Sequence, residues 1–177
     1  HAITEVLKHA QEFECEEILA FATSAIREAD NGNTIIEKLQ RKHNIELQIL
    51  SGDEEAQLTF LAARRWLGWS AGRLLVLDIG GGSLEMAVGN DESASSTVSL
   101  PIGAARMTRE HLVGDPYSGK SIKALTQFVR EKVSHSVTGE LLEHNSDQIV
   151  ATSKTFRTLA RLTDHWYDDS RSEEHTS

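Results

Sequence analysis

Apolar positions along the chain alternate between two spacings. Ile3, Val6, Leu7 and Ala10 stand at helical intervals, which predicts a helix over residues 3–13. The run "EILAFA", residues 17–22, lies between polar residues and predicts a short buried strand. Thr23 and Ser24 then offer N-cap hydroxyls to a helical turn within "TSAIREADN". A helix over 34–43 gathers Ile35, Ile36 and Leu39 on one side, and "IELQIL", residues 45–50, alternates as a strand does. Next comes "SGDEEAQLTFLAARRWLGW". Ser51 can cap it, and Asp53, Glu54 and Glu55 suit the positive end of a helix dipole. Leu58, Leu61, Ala62 and Trp66 form the expected inner face, and Gly68 or Gly72 the stop.

Strands over 73–79 and 83–89 are expected to pair across a run of glycines, and "SSTVSLPIG" supplies a third strand that stops at Pro101. Helices over 103–113 and 121–142, a strand in "DQIVAT" and a helix in "SKTFRTLARL" complete the pattern. Crossover connections dominate the first half and hairpin-linked strands the second. That combination reads as α/β with a mixed sheet, and the helix over 52–66 as the bridge between two lobes.

Composition narrows the class. With 39% hydrophobic and 25% charged residues the 177-residue chain is an ordinary globular one. No apolar run approaches the roughly 20 residues that span a bilayer, so a cytoplasmic protein without membrane attachment is expected. The single cysteine, Cys15, rules out an intramolecular disulfide, and the neighbouring Glu12, Glu14, Glu16 and Glu17 oppose its thiolate. A net charge of −9 without a basic stripe argues against nucleic acid. It leaves an anionic substrate open, because phosphate pockets are built from backbone N–H groups and a few local cations. The eight histidines are scattered, which disfavours zinc, and Trp66 and Trp69 read as packing residues at the lobe junction. The tail "RSEEHTS", residues 171–177, lacks a hydrophobic pattern and looks like a translated sequencing adapter. It is expected to be non-native; a natural acidic tail is the alternative.

The stretch "LLVLDIGGGSLEMAVG" carries the candidate chemistry. Gly80, Gly81 and Gly82 permit a turn with positive φ and leave backbone N–H groups free to converge on an oxyanion. Ser83 adds a hydroxyl. Asp78, ending the first strand, repels an anion but suits a divalent cation held through water. Glu85 shares the face of Ser83 two residues on and reaches the same cation shell. A plain glycine-rich hairpin turn is the competing reading. The stretch is neither a Walker A loop, since no Gly-Lys-Ser or Gly-Lys-Thr follows, nor a dinucleotide fingerprint, since a strand follows the glycines.

Hydrolysis of a phosphoanhydride also needs a base that orients water. Glu54 and Glu55 are both candidates, and both are equally readable as dipole-stabilising acids of a first helical turn. Thr23 and Ser24 could donate to phosphate and Arg27 pair with it, or they could be a cap and a surface arginine. "VATSKTFR" poses the same choice for Thr152, Ser153 and Lys154.

Taken together, "FATSAIREADN", "ILSGDEEAQLTFLAA", "LLVLDIGGGSLEMAVG", "SLPIGAARMTREHL" and "VATSKTFRTLARL" resemble the exopolyphosphatase / guanosine pentaphosphate phosphatase family, over most of residues 15–163. The resemblance implies the two-lobed fold of the acetate kinase–sugar kinase–Hsp70–actin superfamily, each lobe like ribonuclease H. Residues 1–68 would end the first lobe and residues 69–170 form the second. It implies Mg²⁺ organised by Asp78 and Glu85, Glu55 as the acid that orients water, and a phosphate loop of Gly80, Gly81, Gly82 and Ser83. Ser24 and Arg27 would touch the substrate, inorganic polyphosphate or guanosine pentaphosphate, and a homodimer is compatible with the family. Family members begin with a strand–loop–strand unit bearing an Asp-x-Gly-Ser-Asn-type loop, which is not found after His1. The chain is therefore expected to be a piece of a longer enzyme and inactive on its own. The rivals are a non-catalytic phosphate- or nucleotide-sensing module and an ATP-dependent kinase or actin-like ATPase; "SGDEEA" speaks against the last.

Overall fold

A computed structural model of the chain describes residues 2–163; the 171–177 tail lies outside them. The first part runs α1 (Ala2–Glu12), β1 (Ala20–Ala22), α2 (Ser24–Arg27), α3 (Gly32–His43) and β2 (Leu47–Ile49). β1 and β2 pair in parallel, with Phe21 opposite Gln48 and Ala22 opposite Ile49. The buried strand expected over 17–22 is shortened to three residues, of which only Ala22 is buried. Phe21 is 44% exposed, and Ile18, Leu19 and Ile49 are exposed as well. Two strands of three residues present too little surface for the flanking helices to enclose both faces.

α4 (Gly52–Leu67) leads through a 3₁₀ turn (Trp69–Ala71) to β3 (Leu74–Ile79), β4 (Leu84–Gly89) and β5 (Ser96–Leu100). α5 (Ala104–His111), α6 (Gly119–Ser136) and α7 (Glu140–Glu143) then lead to β6 (Gln148–Thr152) and α8 (Ser153–Leu162). The sheet order is β5-β4-β3-β6, antiparallel except for the parallel β3–β6 pair, so it is mixed as expected. Arg73 fastens that parallel edge. Its backbone N–H and guanidinium all donate to Asp147, which holds this carboxyl down at about 2. The single helix expected over 121–142 is two helices. α6 stops at Ser136, and Gly139, with φ +55°, starts α7 on a new axis.

The alternation of strand side chains sorts the core into two layers. Leu74 and Val76 of β3 and Ala87 of β4 pack against Ala56, Phe60 and Ala63 of α4. On the opposite face Met86, Val88 and Leu100 meet Ile102, Met107 of α5 and Leu141 of α7. The inner face of α4 therefore differs from the expected Leu58, Leu61, Ala62 and Trp66. Ala56, Phe60, Ala63, Arg64 and the part-buried Leu67 repeat at i, i+4, i+7, i+8 and i+11, and this stripe turns inward. Leu58 is exposed, and Trp66 and Trp69 are 71% and 64% exposed rather than packed at a junction.

Arg64 is 2% exposed. Its Nε donates to the Asp91 carbonyl at 3.2 Å, and Nη2 to the carbonyls of Gly72 at 2.7 Å and Gly89 at 3.3 Å. One guanidinium thus ties the C-terminal half of α4 to the start of β3 and the end of β4. The other end of α4 is seated on β5. A Cβ on Gly52 would stand 2.2 Å from Ser99 Oγ, and Thr97 Oγ1 donates to Asp53 at 3.0 Å. With both ends of α4 fixed, its first turn overhangs the sheet edge where β3 ends and β4 begins.

Candidate active site

Asp78 is the fifth residue of β3 and lies opposite Glu85 of β4, which lies opposite Ser99 of β5. The same alternation that sends Val76 and Ala87 toward α4 sends Asp78 and Glu85 to that face at its open end. They line a cavity of about 300 Å³ with Ser24, Glu55, Gly80 and Ser83. Eight of the nine sequence-derived site residues border this cavity or the adjoining one; Arg27 reaches it through Glu55.

The two acids of the first α4 turn part company here. Glu54 closes a capping box: the Ser51 N–H donates to Glu54 Oε2 at 2.7 Å, and the Glu54 N–H to Ser51 Oγ at 3.2 Å. The backbone N–H of Ser51 holds its carboxyl below the ordinary value. Glu55, one residue on, points into the cavity and accepts from Arg27 Nη1 at 2.7 Å. Arg27 Nη1 also donates to the Leu50 carbonyl. The arginine read as a phosphate clamp is thus committed to Glu55 in this state.

Glu85 is buried, at 6% exposure, and accepts from Ser99 Oγ at 2.9 Å. Burial pushes its carboxyl up. Hydrogen bonds from Ser83 and Ser99 oppose the rise, and the charges of Glu55 and Asp78 add to it. Three carboxylates thus face one space. Among the described residues no three acid, histidine or cysteine groups stand close enough to ligate one ion directly. The donor set fits a hard cation that keeps most of its water and takes one or two carboxylates, as Mg²⁺ does.

Positive φ, one of the two reasons expected for the glycine loop, does not apply. None of Gly80, Gly81 and Gly82 has positive φ. Small size is required instead at Gly82, where a Cβ would lie 2.7 Å from Ser24 Oγ, and at Gly103, where one would strike the Gly82–Ser83 backbone at 2.4 Å. This close approach lets the start of α5 grip the loop. Ala104 N–H donates to the Gly80 carbonyl, Arg106 N–H to Gly81, and Gly103 N–H and Arg106 Nε to Gly82. In a trans peptide the N–H points opposite to the preceding C=O. The amides of Gly81, Gly82 and Ser83 are therefore turned away from α5, and among the described residues they donate to no protein acceptor. That is a row of open donors beside Asp78.

Thr152 stands at the N-cap of α8 without a capping bond from its side chain. The hydroxyls of Thr152 and Ser153 donate back to the carbonyls of Leu77 and Ile79, at 3.3 and 2.9 Å, and so fix the end of β3. Sequence reasoning assigned no role to Arg106, Ser99 or Glu28. The signal for Arg106 was present in "PIGAAR", since a glycine before a helix start marks a close backbone approach.

The family model described as the Ppx/GppA phosphatase family matches residues 1–173. Exopolyphosphatase 1 of Mycobacterium tuberculosis is 47% identical over 161 residues, 91% of this chain and 47% of the relative. A guanosine-5'-triphosphate,3'-diphosphate pyrophosphatase of Pseudoalteromonas atlantica is 32% identical over 123 residues, 70% of this chain and 24% of that one. Among solved structures, an exopolyphosphatase-like protein superposes with a TM-score of 0.85 at 27% identity, covering 98% of this chain and 57% of the other. The Aquifex aeolicus Ppx/GppA member gives 0.73 at 28% identity, covering 96% and 54%. The chain spans about half the length of the curated exopolyphosphatases it matches. Among the described residues no helix is long and apolar enough to cross a membrane.

Proposed function

The chain belongs to the Ppx/GppA phosphatase family, and from that premise we propose that the full-length protein removes terminal phosphate from inorganic polyphosphate or guanosine pentaphosphate. Its fold is the mixed α/β, actin-like fold of the family, represented here by part of the two-lobed arrangement. The observation that carries the proposal is the convergence of Glu55, Asp78, Glu85 and the glycine loop on one cavity, while Glu54 beside them is spent on a cap.

In this reading the terminal phosphate rests on the amides of Gly81, Gly82 and Ser83, with the Ser24 hydroxyl alongside. Glu55, held by Arg27, accepts a proton from a water whose oxygen attacks the terminal phosphorus. The bond from that phosphorus to the bridging oxygen breaks, and the electron pair leaves with the shortened chain. Mg²⁺, held through water by Asp78 and Glu85, would offset the charge of the phosphate oxygens. Residues 1–177 alone are expected to turn over slowly or not at all, because the described residues supply one phosphate loop.

Glu55→Gln in the full-length protein tests the assignment. Hydrolysis of polyphosphate should fall by about 10²–10⁴-fold while binding persists. Unchanged turnover would remove Glu55 from the reaction. Binding without turnover in the wild-type enzyme would favour a sensing module.

A further inference from the structure

A second cavity, of about 500 Å³, adjoins the first. The two share Thr23, Ser24 and Gly81, so the glycine loop forms the saddle between them. Its walls carry charge that the hydrolytic reading leaves unused. Arg106, on the first turn of α5, faces it, with Arg109 one turn further. Glu28, just after α2, faces it from the other side. Arg106 Nη2 is paired with Glu28 Oε2, and Glu28 Oε1 stands 3.9 Å from Arg27 Nη2. One carboxylate therefore sits between two guanidinium groups, next to a row of open backbone amides.

The chemistry of that position is specific. Two guanidiniums around one anion match phosphate as well as carboxylate, because both present paired oxygens to the planar fork. Arg106 is also held rigidly from behind, its backbone N–H on Gly81 and its Nε on Gly82. That leaves its terminal nitrogens aimed at the cavity. Glu28, by contrast, stands at the end of a helix of only four residues, so its side chain can rotate away without disturbing a longer element.

We propose that Glu28 is an internal occupant of a second phosphate seat, formed by Arg27 and Arg106, which a chain-like polyanion enters by displacing it. The inference rests on the phosphatase reading above and adds to it a reason for preferring chains. A lone phosphate reaches the amides of the glycine loop without disturbing Glu28. A phosphate linked to that one crosses the saddle and has to replace the carboxylate. Displacement also loosens Arg27, which reaches both Glu28 and Glu55, so occupancy of the seat is sensed at the water-orienting acid.

The test is isothermal titration of the full-length protein with orthophosphate and with the methylene-bridged analogue of tripolyphosphate, which resists hydrolysis. Glu28→Gln should bind the analogue about tenfold more tightly, with orthophosphate unchanged within about twofold. Arg106→Gln should weaken the analogue about tenfold and orthophosphate much less, because the loop loses the Nε bond to Gly82 but keeps the backbone bonds from Gly103, Ala104 and Arg106. Adding Glu28→Gln to Arg106→Gln should bring no further tightening. Equal tightening in both backgrounds would make Glu28 a general repulsive charge and overturn the proposal, as would unaltered affinity in Glu28→Gln. Should that variant not fold, Arg106→Gln decides alone, since an equal loss for both ligands also overturns it. If neither ligand binds the wild-type protein, the phosphatase reading itself falls; if both bind and the contrasts are absent, only the second seat does.

Discussion

The β5-β4-β3-β6 sheet and the β1-β2 pair are written in similar apolar letters and reach different ends. β4 is buried along nearly its whole length, because α4 covers one face and α5 to α7 the other. β1 and β2 also carry apolar side chains, yet Phe21 and Ile49 remain exposed. Apolar content makes a strand possible; enclosure of both faces makes it a core. The contrast extends to the site. Asp78, Ser83, Glu85 and the glycine loop are held by the enclosed sheet. Ser24, Arg27 and Glu28 lie on or just after a four-residue helix beside the open pair. One side of the cavity is rigid and the other adjustable, which suits a site where an acid must yield to an incoming phosphate.

The largest expected effect tests this contrast between two phenylalanines. Phe60 is fully enclosed against β4, so close that a Cβ on Gly89 would lie 2.9 Å from its ring. Phe60→Ala should cost about 3–5 kcal/mol in a denaturant titration. Phe21→Ala should cost less than about 0.5–1 kcal/mol, as is usual for an exposed side chain. Equal losses would mean that the two regions share a single core, and the comparison would break.

Arg64 gives the next effect and sharpens the reason for the rigidity. Its three bonds to backbone carbonyls join α4 to β3 and β4, and among the described residues no carboxylate partners it. Arg64→Met preserves much of the volume but strands carbonyls at the buried ends of two strands. A loss of about 2–3 kcal/mol is expected, and Arg64→Lys should recover little because a point charge cannot reach three carbonyls at once. A loss below about 0.5 kcal/mol would assign the anchoring of α4 to its apolar stripe alone.

What the sequence disclosed follows the same physical division. Strand order around the glycines, the mixed sheet and the grouping of Asp78, Glu85 and Ser83 were legible, because period-two alternation and a hairpin are local facts. The inner stripe of α4 was not. Leu58 and Trp66 are more apolar than Ala56 and Ala63, and only the position of the neighbouring sheet decides which side turns inward. The sequence could not separate Glu54 from Glu55, since both suit a first helical turn; the capping box with Ser51 does so. Of the two reasons expected for the loop glycines, positive φ fails. Gly82 has to be small in order to admit Ser24, a contact between residues far apart in the chain.

The smallest effect concerns Glu85, where the enclosed region meets the cavity. Burial raises its folded carboxyl above the unfolded value, and the nearby Glu55 and Asp78 add to the rise. Its contribution to stability is therefore fully present below the ordinary carboxylate range and is lost as pH climbs through the raised folded value. Glu85→Gln removes that titration. In metal-free buffer the variant should match the wild type near pH 4 and melt higher than it near pH 7, by less than either substitution above. Adding Mg²⁺ should reverse the order near pH 7, because a cation shared with Asp78 favours the ionised carboxylate and the amide has no charge to offer. Thermal melts across this pH range, with and without Mg²⁺, read both halves. If the variant is no more stable in metal-free buffer, the edge of the sheet is wetter than its burial implies, and the rigid side of the cavity ends before Glu85. If the wild type gains nothing from Mg²⁺, the ion is held elsewhere and the paired acids serve only to tune each other.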